Sequence, residues 1–334
     1  MATDVAANAI TATYGGAQLN EIFYEPVFRS DDIMRNYRVI PNVKHVMNVY
    51  TAAALTKIVE VYSTCSATSG TNQFDISDKV ITAGRCRVAL EQCTDEFFGT
   101  FIEESYRSGA DVMNIEGTQL ADAIVNRAVK GIASDVVRLA WGGDTTVGTP
   151  AAYLVFNGWM ELMKAEPVLA KTVVAPAAPT AGEAIGLLRD LYDGAAAALQ
   201  QVAPSDKKFF VTPSIFNAYI ANLEGSSADL AVVNLVDGMR RVMFRGVEVV
   251  AMYEWDTILA DTNPDLFVNA ATNYTQGACY CAVENLIIGS DVTDPEGSFK
   301  VFYDDLEEKM FFRGYFKLGV QYLYSSLVKW GILI

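Results

Sequence analysis

The chain has a single histidine, His45, among 334 residues, so the side chain most often used as a general base near neutral pH is all but missing. No Gly-x-Ser-x-Gly turn occurs that would raise a serine nucleophile. The run Trp141-Gly-Gly-Asp-Thr-Thr146 has neither the spacing nor the lysine of a phosphate-binding loop, and no dinucleotide fingerprint is present. These gaps predict a protein that is not an enzyme, with no catalytic, cofactor-binding or metal-binding residues. The five cysteines are Cys65, Cys86, Cys93, Cys279 and Cys281, and an odd count argues against a disulfide framework. Cys279 and Cys281 flank Tyr280 in a strand-like run and therefore share one face, as small buried apolar side chains do.

Long apolar runs are missing as well. The stretch Val168–Pro179 is interrupted by Lys171 and Pro176, and nothing approaches a membrane span. Met1-Ala-Thr-Asp4 carries neither the basic nor the apolar region of a signal peptide, which predicts folding in a cytoplasm. Positive charge is scarce: 25 Lys and Arg face 40 Asp and Glu, for a net charge of −15. No basic cluster stands out along the chain, so any association with nucleic acid is expected to be that of a container, not a clamp.

What is present is apolar and extended. Hydrophobic residues make up 51% and charged residues 19%, a surplus suited to burial between subunits. The stretch Phe299–Trp330 reads as two long strands joined by a short acidic turn. In the second, Phe312, Gly314, Phe316, Leu318, Val320, Tyr322 and Tyr324 alternate with Arg313, Tyr315, Lys317, Gly319 and Gln321, the pattern of a half-buried strand. Met310–Tyr324 would span roughly 50 Å at about 3.4 Å per residue. An arm that long suits an assembling shell better than a compact domain.

Upstream, residues 1–42 read as an irregular arm, interrupted by Gly15-Gly16. Residues 43–93 read as a two-stranded excursion: Val43–Tyr62 outward, a polar tip over Ser63–Asp78, and Lys79–Glu91 back. An isolated hairpin is marginally stable and its edges invite pairing, which points to a partner; packing on its own domain stays open. His45 lies in this strand-like region. A helix is expected over Thr94–Arg107. A longer one runs from Leu120 with Val125, Val129, Ile132, Val136 and Leu139 on one face and stops at Gly142-Gly143, a rod of roughly 36 Å. Thr180-Ala-Gly-Glu183 is a capping box opening a helix expected to bury Ile185, Leu188, Tyr192, Ala195 and Leu199. Lys207–Val211 is a strand, Thr212-Pro213 starts a helix, Leu230–Arg240 is helical, and Val242–Met252 is a strand pair bent at Arg245-Gly246. Asp265–Ala270 and Tyr280–Gly289 supply further strands.

Two acidic clusters remain. Asp291, Asp294 and Glu296 suit a turn better than a cation site. Asp304, Asp305, Glu307 and Glu308 could bind Ca²⁺, sit in solvent, or meet basic side chains of neighbours; the length of the flanking strands favours the last.

The order of these parts resembles the major capsid protein of tailed bacteriophages, the HK97-like fold. Three patches carry the resemblance. Asp78–Phe98 looks like the strand returning from that family's E-loop into a helix; Lys207–Leu223, followed by Phe244-Arg-Gly-Val-Glu-Val-Val-Ala251, looks like its A-domain block; Asn285–Trp330 looks like its closing strands, with Tyr303–Lys309 at the place of the P-loop. The resemblance implies an α+β chain divided into an N-terminal arm (1–42), an E-loop hairpin (43–93), a peripheral P domain with spine helix and β-arm (94–150 and 290–334) and a central axial A domain (151–289). It implies a homo-oligomer of hexamers and pentamers in an icosahedral shell around packaged DNA, with portal and possibly scaffolding or decoration proteins, no membrane, and a place in the virion after assembly in the host bacterial cytoplasm. Contacts between subunits are then expected at the E-loop tip (Ala67, Gly70, Thr71, Asn72) and the P-loop (Asp304, Asp305, Glu307, Glu308, Lys309). No charged helical segment of the kind that forms a fused scaffold precedes the arm, and the Lys–Asn crosslink of one branch has no counterpart that can be placed. An encapsulin-type compartment holding a cargo enzyme would share the fold; a tail-tube protein would not need the long helix.

Overall fold

Two six-stranded sheets, beside two two-stranded pairs, organise the described residues, and a turn at Val283–Asn285 carries the chain from one large sheet to the other. The structure is a computed structural model that describes residues 11–14, 36–52, 76–93, 119–146, 152–163, 168–171, 179–225, 242–260, 268–269, 272–273, 276–291, 299–304 and 309–333. The first half supplies β1 (Thr11–Tyr14), β2 (Arg38–Ile40), β3 (Val46–Ala52), β4 (Ile76–Thr82), β5 (Gly84–Cys93), α1 (Gln119–Gly142), α2 (Trp159–Met163) and β6 (Val168–Lys171). The middle adds α3 (Ala181–Asp193), α4 (Ala197–Gln201), β7 (Lys207–Val211), α5 (Pro213–Gly225), β8 (Met243–Phe244), β9 (Val247–Ala251) and α6 (Tyr253–Ala260). The end holds β10 (Val268–Asn269), β11 (Thr272–Asn273), β12 (Gln276–Ala282), β13 (Leu286–Ser290), β14 (Phe299–Asp304), β15 (Lys309–Tyr322) and β16 (Val328–Leu333).

One sheet is organised on β15, whose 14 residues extend about 45 Å. Phe312 pairs with Val301 of β14 on one side and Leu90 of β5 on the other; Leu318 likewise pairs with Ser290 of β13 and Gly84. So β5 lines one edge, and β14 followed by β13 lines the other. The expected alternation holds. Phe312, Gly314, Phe316, Leu318, Val320 and Tyr322 are buried, while Arg313 and Tyr315 are exposed. The buried side packs with Val129, Ile132 and Val136 of α1.

The second sheet runs β6-β16-β12-β7-β9-β8. Its central strands β7 and β12 are buried at every position, because helices cover both faces. Strand alternation sorts their side chains. Phe209, Val211, Ala278 and Tyr280 pack with Leu187, Leu188 and Leu191 of α3 and Ile215 of α5. Phe210, Cys279 and Cys281 point the other way, into the core that holds α1 and α6. The chain's four tryptophans, Trp141, Trp159, Trp255 and Trp330, all meet in that core. Trp141 is the hub, with ring centroids 4.9 Å from Trp255 and 5.0 Å from Trp159. Tyr37 closes the cluster: it stacks 5.8 Å from Phe210, and its hydroxyl accepts the Trp141 Nε1–H at 2.8 Å.

The segment 290–334 contributes to both six-stranded sheets: β14 and β15 lie in one, and β16 joins the other between β6 and β12. Several expectations need correcting. Ile76–Asp78, read as part of a polar tip, is already paired strand. The return strand is two strands: β4 pairs with β3 and β5 with β15, with a break at Ala83, whose N–H donates to His45 O at 2.8 Å. The Thr180 capping box forms, but α3 stops at Gly194 and buries Ala184, Leu187, Leu188 and Leu191, leaving Ile185 and Tyr192 half-buried. Arg245 and Gly246, at φ 49° and 80°, make the tight left-handed turn that a two-residue hairpin requires. The helices expected at Thr94–Arg107 and Leu230–Arg240 lie outside the described residues. Among the described residues no helix is long and apolar enough to cross a membrane.

Candidate assembly surfaces

The β3–β4 pair has one face that rests on the molecule and one that does not. Met47, Val49 and Ile81 turn inward onto Val43, Ala83 and Ile287. The other face shows Val46 52%, Tyr50 71%, Ile76 67% and Val80 43% exposed. Four large apolar side chains on one strand pair form a patch that water disfavours. The pair is held at its base by Gln321, whose Nε2 donates to Val80 O at 2.9 Å, and by Lys79, whose ammonium lies 3.9 Å from the Tyr322 ring centroid. Gly319 makes the approach possible, since a Cβ there would sit 2.6 Å from Thr82 O. The expected tip residues Ala67, Gly70, Thr71 and Asn72 lie outside the described residues.

At the other end of β15, Asp304 and Lys309 are ladder partners flanking the acidic turn. Asp305, Glu307 and Glu308 lie outside the described residues. Lys309 Nζ reaches Glu91 Oε1 on β5 at 3.7 Å, an exposed pair that adds little stability.

The outer face of the β5–β15 ladder corrects the expectation that basic residues do not cluster. Arg85 pairs with Lys317 and Arg87 with Tyr315, and Arg313 follows one step along the same face. Arg85, Arg87, Arg313 and Tyr315 are exposed. The residues are far apart in sequence, so only the register brings them together. An interleaving of basic residues in two separate strand patterns was the available signal.

Three reactive side chains among the described residues are buried. Burial, with Asp291 nearby, pushes the Cys86 thiol up to about 12, and burial also raises the Cys279 thiol and the Tyr37 hydroxyl well above their ordinary values. All three are neutral at physiological pH and lie within the core. A cavity of ≈ 300 Å³ opens between Gly194, Ser325 and Trp330, and Lys329 is the one titratable side chain lining it among the described residues.

No protein-family model matches the chain, and no curated protein does. Solved structures do. A chain of the satellite phage P4 procapsid that includes the size determination protein superposes with a TM-score of 0.56, at 11% identity, over 94% of this chain and 96% of that one. This chain has the HK97-like capsid fold. A capsid of an empty GTA particle matches with a TM-score of 0.53, at 13% identity, over 92% of this chain and 89% of that one. An encapsulin complex from Synechococcus elongatus matches at 0.50, with 11% identity, over 90% and 86%. The mixed α+β fold is what these matches share, and identities this low speak to the fold alone.

Proposed function

We propose that this chain is a structural major capsid protein, which self-assembles as hexamers and pentamers into an icosahedral shell around packaged double-stranded DNA. The observation that carries the proposal is the near end-to-end superposition on a procapsid chain, with neither protein leaving a sizeable part over. On this reading β3–β4 is the base of the E-loop, laid with its apolar face over an adjacent subunit. The helix α1 is the spine, β14–β15 the peripheral β-arm, and residues 151–289 the axial domain around local five- and six-fold axes. The acidic turn and the E-loop tip residues are contacts between subunits, the former near local three-folds.

The physics suits the task. Each contact is modest, and a shell repeats it many times, so single contacts can open and correct errors while the whole stays closed. A net charge of −15 lets DNA be enclosed without adhesion to specific sequence. Portal and scaffolding or decoration proteins are the expected partners, and the virion, assembled in the host bacterial cytoplasm, is the expected location. An encapsulin-type compartment is the second reading, favoured by the encapsulin likeness.

Electron microscopy of the purified protein expressed alone tests the class: closed shells or hexameric sheets support it, and a monodisperse monomer at high concentration overturns it. The contents of native particles separate the readings, nuclease-protected DNA for the virus and a single cargo protein for the compartment.

A further inference from the structure

We infer that Lys208 and Asn36 are joined by an amide bond within the chain, which the folded subunit forms itself with Glu248 as the proton carrier. The bond needs no second copy, so it stands or falls apart from the shell reading. Strand register builds the site. Lys208 of β7 pairs with Glu248 of β9 and with Cys281 of β12, so these side chains share one face of the sheet. Phe210 lies on that face two residues on, in the core with Cys281.

Tyr37 delivers the third partner. Its ring centroid lies 5.8 Å from that of Phe210 and 4.9 Å from that of Trp159, which fixes the preceding residue, Asn36, beside Lys208. Lys208 Nζ donates to Asn36 Oδ1 at 2.8 Å and lies 3.1 Å from Glu248 Oε2. An amine, a side-chain amide and a carboxylate thus meet at one nitrogen, and Lys208 is only 6% exposed. An ammonium so far from water is poorly hydrated. Passing one proton to Glu248 discharges both groups and leaves Nζ a neutral amine against an amide carbonyl.

The Nζ lone pair attacks Asn36 Cγ. The Nζ–Cγ bond forms, the Cγ–Nδ2 bond breaks, and the side-chain nitrogen departs. Of the three Nζ protons, one passes through Glu248 to the departing nitrogen, one leaves with it as an ammonium ion, and one stays on the new amide. Glu248 ends as it began, and no oxidant, metal or cofactor enters the balance. Holding the amine against the amide replaces a bimolecular encounter with a unimolecular step. The Tyr37 and Phe210 rings shield the site from the water that would compete as nucleophile. An unreacted, hydrogen-bonded ion pair is the other state these contacts allow, and mass separates the two.

Intact-mass spectrometry of the full-length protein, denatured after purification, should show a chain lighter by one ammonia than its sequence requires. Peptide mapping should find the peptide holding Asn36 branched onto the one holding Lys208. Asn36→Ala, Lys208→Arg and Glu248→Gln should each show the full mass. The deciding measurement uses the unaltered chain, so it survives a variant that fails to fold: full mass with no branched peptide after prolonged incubation overturns the inference. Ammonia lost elsewhere, as at Asn157-Gly158, with no branch at Lys208 overturns it too. In a mixture of isotope-labelled and unlabelled chains, each branched peptide should carry one label state throughout; mixed branches place the bond between copies and overturn it. Full conversion in Glu248→Gln overturns the part given to Glu248. Each of these outcomes leaves the shell reading untouched.

Discussion

The β7–β12 ladder and the β3–β4 pair both draw on Val, Tyr and Ala, and end in opposite situations. Every position of β7 and β12 is buried, with two helical layers closing the faces. The β3–β4 pair has only one face covered, and Tyr50 and Ile76 stand in solvent. Apolar content alone therefore does not show whether a strand is finished. What differs is the supply of covering elements: α3 and α5 on one side of β12 and α1 and α6 on the other, against nothing among the described residues over the outer face of β3–β4. A region completed by its own chain should report its mutations as lost stability. A region left open should report them as lost assembly.

The largest effect should come from the finished region. Trp141→Ala removes the hub of the tryptophan cluster and should cost about 3–5 kcal/mol in urea unfolding of the subunit. A loss below about 1 kcal/mol would mean that this core is not the one holding the subunit together. Next comes the junction between the regions. Gly319→Ala forces a Cβ against Thr82 O, a backbone atom with no rotamer to escape into, and should cost about 1–3 kcal/mol. Amide exchange over Ile76–Thr82 should speed up with it, and unchanged exchange would show that the strand pair is not held from β15.

Thr180→Ala should cost about 1 kcal/mol, because Glu183 N–H loses the Thr180 Oγ1 acceptor and the reciprocal bond at 2.7 Å loses its geometry. The smallest change in subunit stability, within about 0.5 kcal/mol, is expected for Tyr50→Ser with Val80→Ser. Those same substitutions should raise the protein concentration needed for particles about tenfold, which is about 1.4 kcal/mol per contact. If they unfold the subunit instead, the outer face is covered by this chain and the contrast between the regions fails.

Much of this was readable beforehand, for local reasons. The capping box at Thr180, the stop of α1 at Gly142 and the turn at Arg245-Gly246 each depend on a few adjacent residues. The alternation along β15 was readable because one face is buried over its whole length. The break at Ala83 left a fainter mark. Buried positions shift from odd, at Ile81 and Ala83, to even at Cys86, a phase change that a continuous strand would not show. The basic face left only basic residues at alternate positions in two separate strands, and Arg85 and Lys317 become neighbours only through register.

The amino-acid sequence by itself determined where helices begin and end, which strands have a buried side, and that a chain 51% hydrophobic carries 40 acidic against 25 basic residues. Periodicity, capping and charge balance are properties of neighbouring residues or of sums. Tertiary structure alone decided that four tryptophans share one core, that the last strand crosses to the other sheet, and that scattered arginines form one face. Each depends on pairing between distant segments, and the free energy of that pairing is spread over many contacts and belongs to no local pattern.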